Sequence, residues 1–451
     1  MDNQNQRFLK KENIIVFFAI FGLIFSNPVQ VFANQGGSIP CLLTLSTSVD
    51  ASIISEKISV FPEKIRALEG IKLEGSLVSS IIENLVKGFV SNSYCMWACR
   101  GLLVSLTASQ INFLKSHLPE IGIETLESEA EPVVGSIESS RNDPPVVPWN
   151  LTLSGSYLLK QLKNLTGKNV LIGVLGPDFS FNHPSLEGRI SMVKRFGPPP
   201  SVNDSPKAIE DLCLLHPLGV LAGVHPKMEM GVANELSIAL ALVPKGKIST
   251  PLLLAALQWL MEPEKGQKPS AVLICVDFRS VPPEAVRTIL RSCRTAGILP
   301  IIPAGNISEK IGGMAAFPEC LTVGAIDQWK KRALFSGQGP GTVDQTVILK
   351  PDLAEPGVSI LGPSYSSEGY RFGSGTLQAA AHFAGIWAQL RQARPDDDVD
   401  SVLYALATTT EDLDDPGPDF KTGIGLVNPS AALNFLENPP VPPASPTRLH
   451  P

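Results

Sequence analysis

Almost continuously apolar runs of strand length recur through the second half of the chain: "NVLIGVLG" (169–176), "LSIALALVP" (236–244), "AVLICVDF" (271–278), "GILPIIPAG" (297–305) and "CLTVGAI" (320–326). Strands buried on both faces read this way, because every side chain meets a covering layer. Amphipathic stretches of helix length lie between them, such as "PLLLAALQWLMEP" (251–263) and "PPEAVRTILRSCRTA" (282–296). This alternation predicts an α/β domain over 148–436, a three-layer parallel sheet with helices on both faces.

Earlier in the chain the pattern changes. Residues 45–127 mix short alternating runs with amphipathic ones, the clearest being "GLLVSLTASQINFLKSHLPEIGIETLE" (101–127). It predicts a strand over Leu102–Leu106, a helix from Thr107, a turn and another strand. Gln110, three residues after Thr107, fits a reciprocal N-cap. A small α/β module is expected, with residues 34–44 as a loose start. "SEAEPVVGSIESSRNDPPVVP" (128–148) is rich in Ser, Glu and Pro and has no period, which predicts a linker over 128–147. "ENPPVPPASPTRLHP" (437–451) predicts an extended Pro-rich tail.

The N-terminus has a targeting pattern. Arg7, Lys10 and Lys11 precede a short apolar run, "IIVFFAIFGLIF" (14–25), and Val31 and Ala33 supply small residues for cleavage. This predicts a signal peptide over 1–33 and an exported protein, secreted or held in the cell envelope or periplasm. An uncleaved anchor is the rival reading, but the run is short for a span of about 20 residues.

Composition narrows the picture. The 451 residues are 44% hydrophobic and 18% charged, enough for a sizeable core. A net charge of −6 argues against a nucleic-acid surface. Seven cysteines leave at least one outside any intramolecular disulfide. Cys95 and Cys99, in "CMWAC", are a disulfide, a helical pair or a weak metal pair. Cys213, Cys275, Cys293 and Cys320 lie in apolar contexts that suit inert buried thiols.

Taken in order, the blocks of the second half resemble the subtilisin-like serine proteases, the subtilases of the peptidase S8 type. "LTGKNVLIGVLGPDFSFNHPSLEGRI" (165–190) is similar to the family's first catalytic block and "HPLGVLAGV" (216–224) to its His block. "GILPIIPAGN" (297–306) is similar to the strand ending in the oxyanion Asn, and "SGTLQAAAHFAGIWAQL" (374–390) to the Ser block. The resemblance implies a subtilisin-like sheet over 148–436. It also implies that the 45–127 module is similar to an inhibitory propeptide.

In that family Ser attacks the acyl carbon, His takes its proton, Asp holds the His tautomer, and an Asn side chain helps bind the oxyanion. Carried over by motif, His216 falls on the His position and Asn306 on the Asn position. Gly176 stands at the Asp position and Leu377 at the Ser position, and neither side chain offers a lone pair or a proton. Gln378 replaces a usually apolar residue. Asp178, two residues past Gly176, is expected to cap a turn. Ser374 and Thr376 are expected to bond local backbone. The family's substrate-pairing edge strand matches Val276, Asp277 and Phe278, with Phe278 in place of a Gly and narrowing the first specificity pocket.

These residues lead to a subtilisin-like endopeptidase homologue, catalytically inactive, that binds a peptide or protein in the former substrate groove. Two alternatives stay open. One is an active serine endopeptidase with non-standard residues, Ser374 or Ser336 being the hydroxyls to test. The other is a purely structural or regulatory domain. No cofactor or metal site is expected from the residues; calcium enters only through the resemblance. Partners are expected to include neither nucleic acid nor a membrane beyond the signal segment. Asp396–Asp398 are expected at the N-terminus of the following helix.

Overall fold

The chain enters its first sheet at Ser38, within the stretch expected to be a loose start. The computed structural model describes residues 38–45, 63–85, 93–137, 147–179, 183–197, 214–264, 266–278, 280–308, 310–364 and 369–439. The expected signal peptide, Cys213 and most of the Pro-rich tail lie outside these residues. Strands β1 (Ser38–Leu45), β2 (Ser93–Met96), β3 (Gly101–Thr107) and β4 (Ile121–Thr125) form an antiparallel sheet in the order β2-β3-β1-β4. β1 is an interior strand, paired with β3 and β4. Its partners lie far along the chain and its own sequence carries Ser, Pro and Thr, so local periodicity did not reveal it.

Helices α1 (Glu63–Leu85) and α2 (Ala108–His117) complete the module. Thr107 caps α2 as expected, in a reciprocal box with Gln110. The period of two in the strands divides the side chains between two cores. Cys41, Leu43, Leu102 and Val104 pack with Val78 and Ile82 of α1 and Leu114 of α2. Leu42, Leu103 and Met96 face the opposite way, into the core of the large domain. Past the module, the expected linker holds two short strands, β5 (Glu129–Pro132) and β6 (Ser136–Ile137).

The large domain begins with helices α3 (Trp149–Leu153) and α4 (Ser156–Lys163). Its strands are β7 (Leu171–Pro177), β8 (Ile190–Arg195), β9 (Ser237–Val243), β10 (Ile248–Ser249), β11 (Ala271–Ile274), β12 (Val276–Phe278), β13 (Leu299–Pro303) and β14 (Leu321–Ile326). A hairpin of β15 (Gly341–Val343) and β16 (Thr346–Ile348) follows, then β17 (Leu353–Pro356), β18 (Ile360–Pro363) and β19 (Tyr370–Ser374). Seven of these make one parallel sheet, β17-β14-β13-β11-β7-β9-β8.

Helices cover both faces. α5 (His216–Ala222) and α8 (Thr376–Ala393) lie on one face, and α6 (Thr250–Met261) and α7 (Glu284–Thr295) on the other. α9 (Val399–Thr409) and α10 (Pro429–Glu437) close the domain. α8 is buried on every side from Thr376 to Leu390, and its Ala and Gly residues let it lie close to the sheet. Gly385 is needed there: a Cβ on it would come 2.5 Å from Val232 Cβ. Asp398 caps α9, accepting the Ser401 N–H at 2.8 Å, as expected for the acidic run.

The module docks on α6 and α7. Gln258 of α6 accepts the Ala98 N–H at 3.0 Å and donates to the Cys95 carbonyl at 3.1 Å. The Glu124 carboxylate accepts the N–H groups of Glu284 and Ala285 at 2.7 and 3.0 Å, filling orphan donors at the α7 N-terminus. Cys95 and Cys99 carry free thiols, as do Cys41, Cys293 and Cys320. Among the described residues no helix is long and apolar enough to cross a membrane.

Candidate active site

Strand order reverses at β7, which has β9 on one side and β11 on the other. In open parallel sheets the crevice at the carboxyl ends of such strands is the usual binding place. Gly176 lies near the end of β7 there. A Cβ on it would come within 2.9 Å of Leu214 Cδ1, so an acidic side chain has no room unless Leu214 moves. Asp178, two residues on, caps no turn among the described residues. Its carboxylate takes the Arg195 Nε–H at 3.0 Å, toward β8.

His216 opens α5 and is buried. Its Nε2 lies 3.0 Å from the Ile360 carbonyl and 3.3 Å from that of Arg371. Carbonyls only accept, so Nε2 carries the proton and Nδ1 is left as an acceptor. The Gln378 amide stands 3.4 Å from Nδ1 and donates to it. Both ring nitrogens are thus committed. Burial lowers the His216 pKa to about 4, against the pull of the two carbonyls, so the ring is neutral near pH 7. Among the described residues its hydrogen-bond partners include neither a carboxylate nor a hydroxyl.

Leu377 sits in the first turn of α8 with none of its surface exposed, inside the core that α8 shares with the sheet. The neighbouring hydroxyls are also engaged. Ser374 Oγ accepts the Ser359 N–H at 2.8 Å, and buried Ser336 Oγ accepts that of Ala325 at 3.0 Å.

Asn306 is placed differently. Its Oδ1 accepts the Thr376 N–H at 2.8 Å and the Thr376 hydroxyl at 2.9 Å, while Thr376 Oγ1 accepts the Gly305 N–H at 3.1 Å. These bonds fix which end of the amide is oxygen. The Nδ2 end points out and donates to the Val134 carbonyl at 2.7 Å.

Val134 belongs to the expected linker, and its neighbours fill the cleft. β5 lies between two strands of the large domain. On one side Ala130, Glu131 and Pro132 face Phe278, Asp277 and Val276; on the other Glu129 and Ala130 face Ser249 and Ile248. The Val133 N–H reaches the Cys275 carbonyl at 3.0 Å. Beyond Gly135, Ser136 and Ile137 face Ser374 and Gly373. Residues 129–137 are therefore bound backbone-to-backbone as an added strand, continuous through the cleft. Glu, Pro, Gly and Ser give this segment little strand propensity of its own; the open edges of β10, β12 and β19 supply the order.

The three expected groove residues divide. The backbone of Val276, Asp277 and Phe278 does pair with an extended segment, which here is the chain's own. The Asp277 carboxylate turns away, to the N–H groups of Phe278 and Met314, both at 2.7 Å. Burial pushes its pKa up to about 7, opposed by those bonds. Phe278 is buried in the same cluster as Ala130 and Ile248.

Sequence reasoning noted Gln378 without its role and missed the bound segment. The signal for Gln378 was an amide flanked by Leu377 and the Ala379–Ala381 run in the first turns of the helix. Asp414, Asp415 and Asp419 form an acidic group, but the Lys421 ammonium lies 2.9 Å from Asp414 and 3.0 Å from Asp415. That cluster already holds its counter-charge and is not the many-oxygen cage calcium takes.

A family model described as the subtilase family matches residues 167–425. The chain is similar to the subtilisin-like protease PopC of Myxococcus xanthus, 29% identical over 297 residues, covering 59% of this chain and 61% of PopC. Against bacillopeptidase F of Bacillus subtilis it is 27% identical over 302 residues, 60% of this chain and 21% of the relative. Against alkaline elastase YaB of a Bacillus species it is 27% identical over 333 residues, 72% of this chain and 80% of the relative. The chain thus spans less than two thirds of the length of the first two relatives. With the parallel sheet, the covering helices and the ordered sequence blocks already described, this match assigns the chain to the subtilase family.

Proposed function

We propose that the protein is a catalytically silent subtilase that holds an extended peptide in its groove without cutting it. The observation that carries this reading is the commitment of both His216 nitrogens to Ile360, Arg371 and Gln378. An imidazole so bonded has no lone pair for a nucleophile's proton, and the residue at the nucleophile position, Leu377, has no such proton. In subtilisin, loss of the nucleophile costs about a millionfold in turnover, and further triad losses add little. Asn306 keeps its hold on a carbonyl, which is a binding function. Export by the 1–33 signal segment fits the same reading, and a peptide or protein partner would use the groove that residues 129–137 now fill.

The test is peptide hydrolysis together with fluorophosphonate labelling of the purified protein. The expected result is no turnover above buffer and no labelled serine. The rival reading, an endopeptidase with displaced residues, requires labelling at Ser374 or Ser336 that disappears in His216→Ala. Both hydroxyls already serve backbone N–H groups, which favours the silent reading.

A further inference from the structure

The bound segment narrows at one residue. A Cβ added to Gly135 would lie 2.4 Å from the Ser374 carbonyl oxygen and 3.2 Å from Gln378 Oε1. The first distance is to backbone, which cannot swing aside as a side-chain tip can. Gly375, the next residue after Ser374, continues this wall: its own Cβ position is 3.1 Å from Gly135 Cα and 2.4 Å from Gln378 Oε1. Gln378 is wholly buried. Its Nε2 is directed to His216, and its Oε1, which has no hydrogen-bond partner among the described residues, lies close to both glycines. Just before this point Asn306 fixes the Val134 carbonyl, so the register of the strand is set. The groove therefore combines a carbonyl clamp with a slot one residue later that admits no side chain.

We propose that Gln378 and the Ser374 carbonyl make this groove selective for extended peptides with glycine directly after the carbonyl held by Asn306. Residues 129–137 are the resident member of that class, and a second polypeptide with the same pattern is the ligand that competes with them. The selectivity rests on the non-cutting reading, since the occupant must persist. A tethered resident acts at an effective concentration in the millimolar range, so a free peptide binds well only when the resident is weakened. An overpacked slot achieves this, because a forced side chain shifts backbone and distorts neighbours.

The experiment uses the full chain as wild type and as Gly135→Val, with two labelled synthetic peptides. One has the sequence of residues 129–137; its twin carries Val at the glycine. Hydrogen exchange of 129–137 and fluorescence polarisation are read together. In Gly135→Val the segment should lose its protection while the helices of the large domain keep theirs. The parent peptide should bind that variant about tenfold or more tighter than wild type, and the twin about tenfold or more weaker than the parent. Adding Gln378→Ala should shrink the difference between the peptides. Equal binding of the two peptides, no binding of either to the opened variant, or undiminished protection of the segment would overturn the proposal. Should Gly135→Val fail to fold, Gly135→Ala gives the same readings with a smaller displacement. Mass spectrometry of the recovered peptides separates the two ideas: a cut peptide sinks the silent reading, whereas an intact one bound without regard to glycine sinks the selectivity.

Discussion

Two corners of one cleft have taken different courses. At the Asn306 corner, polar groups are anchored from behind by Thr376 and presented outward to a peptide carbonyl. At the His216 corner, polar groups turn inward: the imidazole ties the β18–β19 hairpin to α5, and Gln378 closes its last acceptor. Leu377 and Leu214 fill the places around it with core. On the silent reading proposed above, recognition and reactivity are separable in this fold. Recognition depends on open strand edges and one amide, whereas reactivity depends on a proton path that burial can seal.

The comparison breaks first at Leu377. Leu377→Ser places a hydroxyl in a fully buried site and should cost about 2–5 kcal/mol of stability by denaturant titration, without producing hydrolysis. A stable and active variant would mean the His216 corner is still an active site.

The next effect is on pH. The His216 pKa is about 4 when folded, against an ordinary value of 6.5, so the unfolded chain takes up the proton first as pH falls. The stability that His216 contributes is full above about pH 6.5 and should fall by about 3 kcal/mol as pH drops toward 4, while Asp277, with its pKa raised to about 7, acts in the opposite sense over the same range. His382, lowered to about 3 by burial, adds loss in the same direction from about pH 6.5 down to about pH 3. His216→Asn should remove this contribution alone, so the difference in denaturant midpoint between wild type and variant should change between pH 6.5 and 4 and stay constant above pH 6.5.

At the other corner the effect is smaller and local. Asn306→Ala removes the bond to Val134 and should weaken the hold on the segment by about 1 kcal/mol, read as faster hydrogen exchange around residues 133–137. Smallest is Glu124→Ala, which uncaps α7 from the module side. It should loosen module docking by about 0.5 kcal/mol and leave the pH slope of His216 unchanged.

The strands and helices of the large domain were legible because they are long, apolar and regular; β9, β13 and β14 fall within a residue or two of the runs that predict them. Gly176, His216, Asn306 and Leu377 were legible as letters in ordered blocks that resemble those of the family. What those letters do was not. His216 meets carbonyls 144 and 155 residues away, and Asn306 a carbonyl 172 residues away, none marked by local spacing. β1 and residues 129–137 were missed for the same reason: their strand character comes from edges supplied elsewhere in the chain. The buried pair of Glu355 and His382, with Oε2 and Nδ1 3.4 Å apart, was equally invisible, since β17 and α8 meet only in the folded domain.

The most direct test of the central claim is the intact mass of the full chain after prolonged incubation, for wild type and His216→Ala side by side. The account predicts one uncut species in both, with module and large domain still joined through residues 128–147. Cleavage in that stretch in the wild type that vanishes in His216→Ala would contradict it.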